Sequence, residues 1–289
     1  MQSKKICIFG GAGFVGRYLC AQVLSYNNHV TIMDIVEEPK WICDEKDVRY
    51  VNVSSDFELN SYLEQQFDYV FLLAGNASVS KSVLNPIFDV ESNTLSILKL
   101  LSHSALTKTK LVFFSSAAVY GEMEKGIRLS PISPYGISKA FTEKYLKFYN
   151  RNYGVPVLIC RFFSLFGNYN TKQVIYDMAK KIITDSNEMV IINPKHRRDF
   201  IHIEEALDAM LFLCENSTFN GEAFDIGLGE STSIMQLYQQ IAKILDFKSS
   251  PSLKLMKNIG DPKVQIANIK PLKELGYVFN KGFEVRLGE

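Results

Sequence analysis

No charge of one sign predominates in this sequence. Its 289 residues carry 32 Lys and Arg against 31 Asp and Glu, a formal net charge of +1. That balance gives no support to a general nucleic-acid role or to attachment at an acidic membrane surface. Long apolar runs are missing as well. None could span a bilayer, and the N-terminus enters a strand-like run directly, without a signal-peptide pattern. The five cysteines, Cys7, Cys20, Cys43, Cys160 and Cys214, are scattered, odd in number and mostly inside apolar runs. They read as reduced core thiols of a cytoplasmic protein, and no metal-ligand spacing occurs. Repeats and low-complexity linkers are lacking too. What remains is of ordinary globular composition, 47% hydrophobic and 22% charged. The chain is long enough for one large domain or a domain with a smaller companion.

The stretch around which the rest is organised is residues 5–34, KICIFGGAGFVGRYLCAQVLSYNNHVTIMD. Ile6, Cys7, Ile8 and Phe9 form a short apolar run, as expected of a strand buried on both faces. Gly10, Gly13 and Gly16 follow with GxxGxxG spacing, and apolar residues then recur at helical intervals over 14–24. A second apolar run, 29–33, ends on Asp34. Glycines in that order let the backbone turn tightly and approach a pyrophosphate, whose charge then meets the N–H groups of a helix start. A carboxylate ending the second strand can accept hydrogen bonds from a ribose 2′-OH and repel a 2′-phosphate. The residues after it, Ile35-Val36-Glu37-Glu38, offer no arginine for such a phosphate. Dinucleotide binding, with NAD rather than NADP, is the resulting expectation.

Strand and helix patterns then alternate, which predicts a doubly wound parallel sheet of α/β class. Strands are expected at 48–53, 69–73, 111–115 and 155–163. Helices are expected at 56–66, at 85–104 with Pro86 near its start, and at 133–153 with Ser133 as cap and Pro134 in first position. Beyond Gly167 the pattern loosens. Helices are expected at 174–185, 203–216, 233–245 and 268–275, and short strands at 189–192, 200–202 and 223–226. The second half therefore reads as a smaller lobe interleaved with the main sheet. Because ligands bind outside the carboxyl ends of such strands, the Gly10 loop, Asp34, Gly75 and Ser116 should share one rim.

Tyr135 and Lys139, four apart, lie on one helix face. An ammonium near a phenol favours the phenolate, which lowers its pKa from about 10 toward neutrality and makes a usable general base. Ser116 could bind the same substrate oxygen. By itself Tyr-x-x-x-Lys is most often a solvated helix face. It gains meaning here from the glycine loop, the acidic strand end and the strand-terminal Ser115-Ser116. The helix over 135–153 also carries apolar residues on two opposite sides. Leu146 and Tyr149 share the side of Tyr135 and Lys139, while Ile137, Phe141, Tyr145 and Phe148 share the other. Two burial partners are therefore needed, one of them a second subunit.

GxxGxxG at 10–16, SSAAVYG at 115–121 and YGISK at 135–139 resemble the extended short-chain dehydrogenase/reductases, and more narrowly their NAD-dependent nucleotide-sugar epimerase/dehydratase group. RRDFIHIEEA at 197–206, FDIGLG at 224–229, GDP at 260–262 and LGY at 275–277 fit the same group. The resemblance covers nearly the whole chain. It implies a Rossmann domain binding NAD over 1–166, with a returning segment near 200–228, and a smaller C-terminal substrate-binding lobe over 167–289. It implies Ser116, Tyr135 and Lys139 as the catalytic set. The implied cofactor contacts are Gly10, Gly13, Phe14, Val15, Gly16, Asp34, Leu73, Ala74, Gly75, Tyr135 and Lys139, with Asp56 near adenine. For a nucleotide-diphosphate sugar it implies Ser78, Ser116, Ser164, Arg198 and Lys257, with Arg198 on the diphosphate because a guanidinium binds phosphate in bidentate fashion. A homodimer is implied too, with the 85–104 helix joining a four-helix contact. A bland alternative for Arg197-Arg198-Asp199 is a surface ion-pair cluster. For His202 the structural reading is preferred, a hydrogen-bonded histidine at a strand end.

Two departures from the group stand out. Ser164-Leu165-Phe166-Gly167 replaces Asn-x-Tyr-Gly, and Asn258 stands where an arginine is usual, with Lys257 beside it. Phosphate contacts should accordingly be thinner or rearranged. Ala117 and Ala118 follow Ser116, where dehydrating members carry an acid, so dehydration is not expected. A 4-epimerase is the first expectation. A reductase of a nucleotide 4-keto-sugar is the alternative, and a dinucleotide-sensing scaffold the non-enzymatic one.

Overall fold

Short apolar runs with no polar face are satisfied inside a sheet covered on both sides. That is how they are used in the computed structural model of the chain, which describes residues 1–43, 47–53, 66–101, 109–123, 129–184, 189–256, 259–280, 282–283 and 287. Strands β1 (Lys5–Phe9), β2 (His29–Asp34), β3 (Val48–Asn52), β4 (Tyr69–Leu72), β5 (Lys110–Ser116) and β6 (Val157–Phe162) join the Asn220–Ile226 strand in one seven-stranded sheet. The order across the sheet is Asn220–Ile226, β6, β5, β4, β1, β2, β3, and every pairing is parallel. Strand order reverses beside β1, which places the crevice for a ligand at the carboxyl ends of β1 and β4.

One face of the sheet is covered by the Phe14–Leu24 and Ile203–Asn216 helices, through Leu19, Val23, Leu207 and Met210. The other is covered through Ile97, Leu100 and Leu146, from the Ser96–Leu101 and Pro134–Tyr153 helices. A separate apolar cluster holds Phe166, Met178, Ile182, Phe200, Leu237 and Ile241. It joins the Val174–Thr184 and Ile234–Ile244 helices to two small sheets, Ser164–Phe166 with Phe200–His202 and Val190–Ile192 with Ser252–Lys254.

Local signals start and stop these elements as expected. Ser133 accepts from Gly136 N at 3.1 Å, Pro134 follows, and Gly154 closes the helix in a left-handed conformation, φ 69°. Ser233 and Gln236 form a reciprocal capping box on the Ile234–Ile244 helix.

The structure also departs from the pattern. The expected 85–104 helix runs as Pro86–Val90, a π turn over Glu91–Leu95, and Ser96–Leu101. Apolar spacing does not register the extra residue of a π turn, so the interruption was invisible. Ser78 starts a separate Val79–Leu84 helix that the pattern missed, because Asn85-Pro86 breaks it after six residues. The last helix is only Lys270–Glu274. The expected 56–66 helix lies almost wholly outside the described residues. Among the described residues no helix is long and apolar enough to cross a membrane.

Candidate active site

At the carboxyl end of β1 the chain turns through Gly10, φ 82°, so close to β4 that a Cβ there would lie 2.3 Å from Ala74 Cα. Gly16 packs on the same turn, where a Cβ would lie 2.0 Å from Gly11 O. At Gly13 a Cβ would meet nothing within 4 Å. Gly13 is also the cap of the Phe14–Leu24 helix, which has no side-chain cap and no acidic residue in its first turn. Phe14 and Val15 form that turn. Among the described residues no side-chain anion caps its N–H groups, which leaves them for a pyrophosphate. Asp34 closes the cradle. Its Oδ2 accepts from Ala12 N at 2.9 Å and its Oδ1 from Ile35 N at 2.7 Å. The N–H groups of Leu73 and Ala74 both bond Phe9 O at 2.8 Å, holding the β4 end against the loop. Gly75 follows, φ 144°, against Asn93, whose buried Oδ1 has no partner among the described residues. These residues fit a dinucleotide. Asp56 lies outside the described residues.

On the neighbouring strand end, Ser116 stops β5 and caps the turn Ala117–Val119, accepting from Ala118 N at 3.2 Å. Its hydroxyl also neighbours the Tyr135 phenol, close enough to act on its pKa. Tyr135 N in turn donates to the fully buried Ser82 Oγ at 3.1 Å. Lys139 lies one turn further on, buried, with Nζ donating to Phe114 O at 2.9 Å. The structure thus brings Ser116, Tyr135 and Lys139 to one place. It does not reproduce the expected pKa effect. Burial pushes the Tyr135 phenol up, the Ser116 hydroxyl pulls it down and the Asp89 charge pushes it up again. The ammonium is spent on a carbonyl oxygen, and its own pKa is lowered to about 8 by burial, against the opposing pull of Asp89 and Glu143.

Beneath this group runs a polar network that the sequence reading missed. Glu143 accepts from Ser115 Oγ at 2.6 Å and takes a bidentate pair from Arg161 at 2.9 and 2.6 Å. Arg161 also donates to Tyr120 Oη at 2.7 Å, and Tyr120 donates to Asp225 at 2.6 Å. Glu143 is four residues after Lys139 on the same helix face, a spacing legible in the sequence; its partners come from β5 and β6. Asp89, Asn93 and Ser138, all buried, were missed as well.

The opposite wall comes from the second half of the chain. Arg198 pairs with Asp261 and donates to Arg197 O at 2.8 Å. Its side chain is only 12% exposed, which rules out a surface cluster, and burial lowers its pKa. Asp261 also meets His196 Nδ1 at 3.1 Å. Asp199 is fully buried and is a clasp for backbone: it accepts from Leu228 N at 2.8 Å, Gly229 N at 2.9 Å and Ala267 N at 3.1 Å. Burial raises its pKa to about 6. Ser164 is set beside this segment, its N–H on Asp199 O at 2.9 Å. Ser78 caps the Val79–Leu84 helix, accepting from Lys81 N at 3.3 Å. Gly260 closes down on that helix and on Ser133, where a Cβ would lie 2.7 Å from both Val79 Cγ1 and Ser133 Cβ. Lys257 and Asn258 lie outside the described residues. His202 is the structural histidine expected, capping the Ile203–Asn216 helix.

A Gly-rich helix start at the switch point of a parallel sheet, beside a Ser-Tyr-Lys group, defines a dinucleotide-dependent enzyme of the short-chain dehydrogenase/reductase type. A profile of the NAD dependent epimerase/dehydratase family matches residues 6–227, and the chain belongs to that family. Its cofactor is NAD. The chain is 28% identical over 258 residues to a putative UDP-glucose 4-epimerase of Methanocaldococcus jannaschii, covering 84% of this chain and 83% of that protein. Among solved structures it is similar to the UDP-N-acetylglucosamine 4-epimerase of Methanobrevibacter ruminantium in complex with UDP-N-acetylmuramic acid. That likeness has a TM-score of 0.85 and 29% identity, covering 100% of this chain and 97% of the other. It is likewise similar to the UDP-glucose 4-epimerase of Thermotoga maritima with UDP-glucose, with a TM-score of 0.88 and 27% identity over 98% and 96% of the two chains.

Proposed function

We propose that the protein is an NAD-dependent 4-epimerase of UDP-linked sugars. The observation that carries this is the meeting of the Ser116 hydroxyl and the Tyr135 phenol at the carboxyl end of β5, with Ala117 and Ala118 following Ser116. Two groups converge where a sugar hydroxyl would lie, and neither alanine can supply the further acid that dehydration needs. Ser116 Oγ binds the sugar O4 and Tyr135 takes its proton as general base. Lys139 holds positive charge beside them and, when the cofactor is bound, its ribose. NAD supplies reversible uptake of a hydride at one sugar carbon. Arg198 is the group for the diphosphate, and Asp261 must share or release it when substrate enters. The 4-epimerase relatives, at 27–29% identity, support the same reading.

The protein is proposed to work in the cytoplasm, in keeping with the burial of Cys7, Cys20, Cys160 and Cys214. It is also proposed to work as a homodimer. Ile137, Phe141 and Phe148 are about half exposed on the outer side of the Pro134–Tyr153 helix, and Leu84 and Ile87 beside it are 85% and 71% exposed. A second copy of this face would cover them.

The test is incubation of the purified protein with UDP-glucose, UDP-N-acetylglucosamine and UDP-glucuronic acid, followed by separation of the C4 epimers. Interconversion is expected without added reduced cofactor and without net absorbance change at 340 nm. Consumption of NADH or NADPH by a 4-keto-sugar, with no epimer formed from any 4-hydroxy sugar, would assign a reductase instead. Light scattering at micromolar concentration should give the mass of two chains.

A further inference from the structure

Directly beneath Tyr135 and Lys139 lies a buried carboxylate that the reaction outlined above does not use. Asp89 is 0% exposed, in the Pro86–Val90 helix just before the π turn. Its Oδ1 accepts from Asn76 Nδ2 and Asn93 Nδ2, both at 2.8 Å, and its Oδ2 accepts from Ser138 Oγ at 2.7 Å. All three donors are neutral. A carboxylate excluded from water is costly unless a cation offsets it.

The Asp89 charge acts on Lys139, next in sequence to Ser138. Among the described residues Lys139 touches no anion through a hydrogen bond: its Nζ bonds Phe114 O at 2.9 Å and lies 4.9 Å from the centre of the Phe113 ring. Glu143, the other carboxylate acting on it, is already engaged in the bidentate pair with Arg161. Among the described residues, Asp89 is therefore the carboxylate acting on Lys139 that no cation already holds by a hydrogen bond. Among the described residues, Tyr135 is a further titratable group facing the pair, its phenol beside the neutral Ser116.

We propose that Asp89 is a positioning residue. Its buried charge keeps the Lys139 ammonium charged, and its hydrogen bonds to Ser138 and Asn76 fix the turn bearing Tyr135 and Lys139 against the end of β4. Only the kinetic part of the proposal rests on the 4-epimerase reading.

Asp89→Asn isolates the charge from the geometry. The amide oxygen can occupy the Oδ1 position and keep both Asn donors. The amide nitrogen then faces Ser138 Oγ, which can accept while its own proton goes to Tyr135 O, 2.9 Å away. Loss of the anion removes what holds a proton on Lys139, and it also removes what opposes ionisation of Tyr135. Both groups then release protons at lower pH.

Two measurements test this. In the pH dependence of kcat, the whole bell should move to lower pH in Asp89→Asn relative to the wild type. A lower kcat on an unmoved bell would mean a merely structural residue and would overturn the proposal. The second is a stability cycle by denaturant unfolding on Asp89→Asn, Lys139→Met and the double variant. Each single change leaves the other charge buried and unmatched, so the double variant should lose less than the sum of the two. Strict additivity would overturn the proposal, and a double variant that folds where Asp89→Asn alone does not would uphold it. The cycle needs no substrate. If the wild type epimerises nothing, the proposed function fails while the cycle still decides whether Asp89 and Lys139 are coupled.

Discussion

Tyr135 and Lys139 stand four residues apart on one helix, whereas Arg198 meets Asp261 across 63 residues of chain. The two walls of the site are held by different means. On the first, Ser116 ends a strand in the middle of the parallel sheet, and the helix beside it is anchored by Ser82, Asp89 and the Glu143–Arg161 pair. On the second, Arg197-Arg198 is a two-residue strand paired to Thr232–Ser233, and a single carboxylate, Asp199, gathers three backbone N–H groups from two other segments. The groups proposed to move protons are held on the main sheet and its long helix, where a small error in geometry is costly to rate. The group proposed to hold the diphosphate sits on a short strand among loops, which sequence change can rearrange without disturbing the sheet.

The largest expected effect falls on the first wall. Tyr135→Phe removes the proton acceptor and leaves the helix and the cofactor cradle in place. Turnover should fall about 10²–10⁴-fold with the unfolding midpoint nearly unchanged. A variant that turns over near the wild-type rate would remove Tyr135 from the role of base.

Next is the foundation under that wall. Glu143→Ala strands the Arg161 guanidinium, 8% exposed, among Tyr120 and Asp225. The loss of stability should be about 3–5 kcal/mol by denaturant unfolding. A loss below about 1 kcal/mol would show that water or a rearranged neighbour replaces the pair.

Effects on the second wall should be smaller and should fall on binding. Arg198→Ala should raise KM about 10–100-fold, the scale of a hydrogen bond to a charged group, and change kcat little. A collapse of kcat at unchanged KM would place Arg198 in the chemical step rather than on the diphosphate. The smallest effect is expected at the clasp. Asp199→Asn can satisfy Leu228 N or the pair Gly229 N and Ala267 N, but not both sides, so it should cost about 1–2 kcal/mol of stability. An unchanged midpoint would mean that these N–H groups find other acceptors.

The first wall was largely legible in the chain. Apolar runs marked the strands, GxxGxxG and Asp34 marked the cradle, and the i, i+4 spacing of Tyr135 and Lys139 was enough to put both on one face. Glu143 shared that face too, yet nothing in its own neighbourhood named Arg161 or Tyr120 as its partners. Asp89 looked like any polar residue of an amphipathic helix. The second wall was legible only as fragments. RRDFIH and GDP could be picked out, but the contact of Arg198 with Asp261 links two stretches that no local periodicity relates.

Local pattern determined the parallel sheet, the glycine-turned helix start and the positions of Ser116, Tyr135 and Lys139, because each depends on residues no more than a few positions apart. Tertiary structure decided the ionisation of those same residues. Whether a lysine is charged or a phenol can ionise depends on how much water is excluded and which charges stand across the gap, and here those charges come from Asp89, 50 positions before Lys139 in the chain, and from Glu143, already tied to Arg161 on another strand. Burial and long-range electrostatics are properties of the packed chain, and no reading of the residues in order contains them.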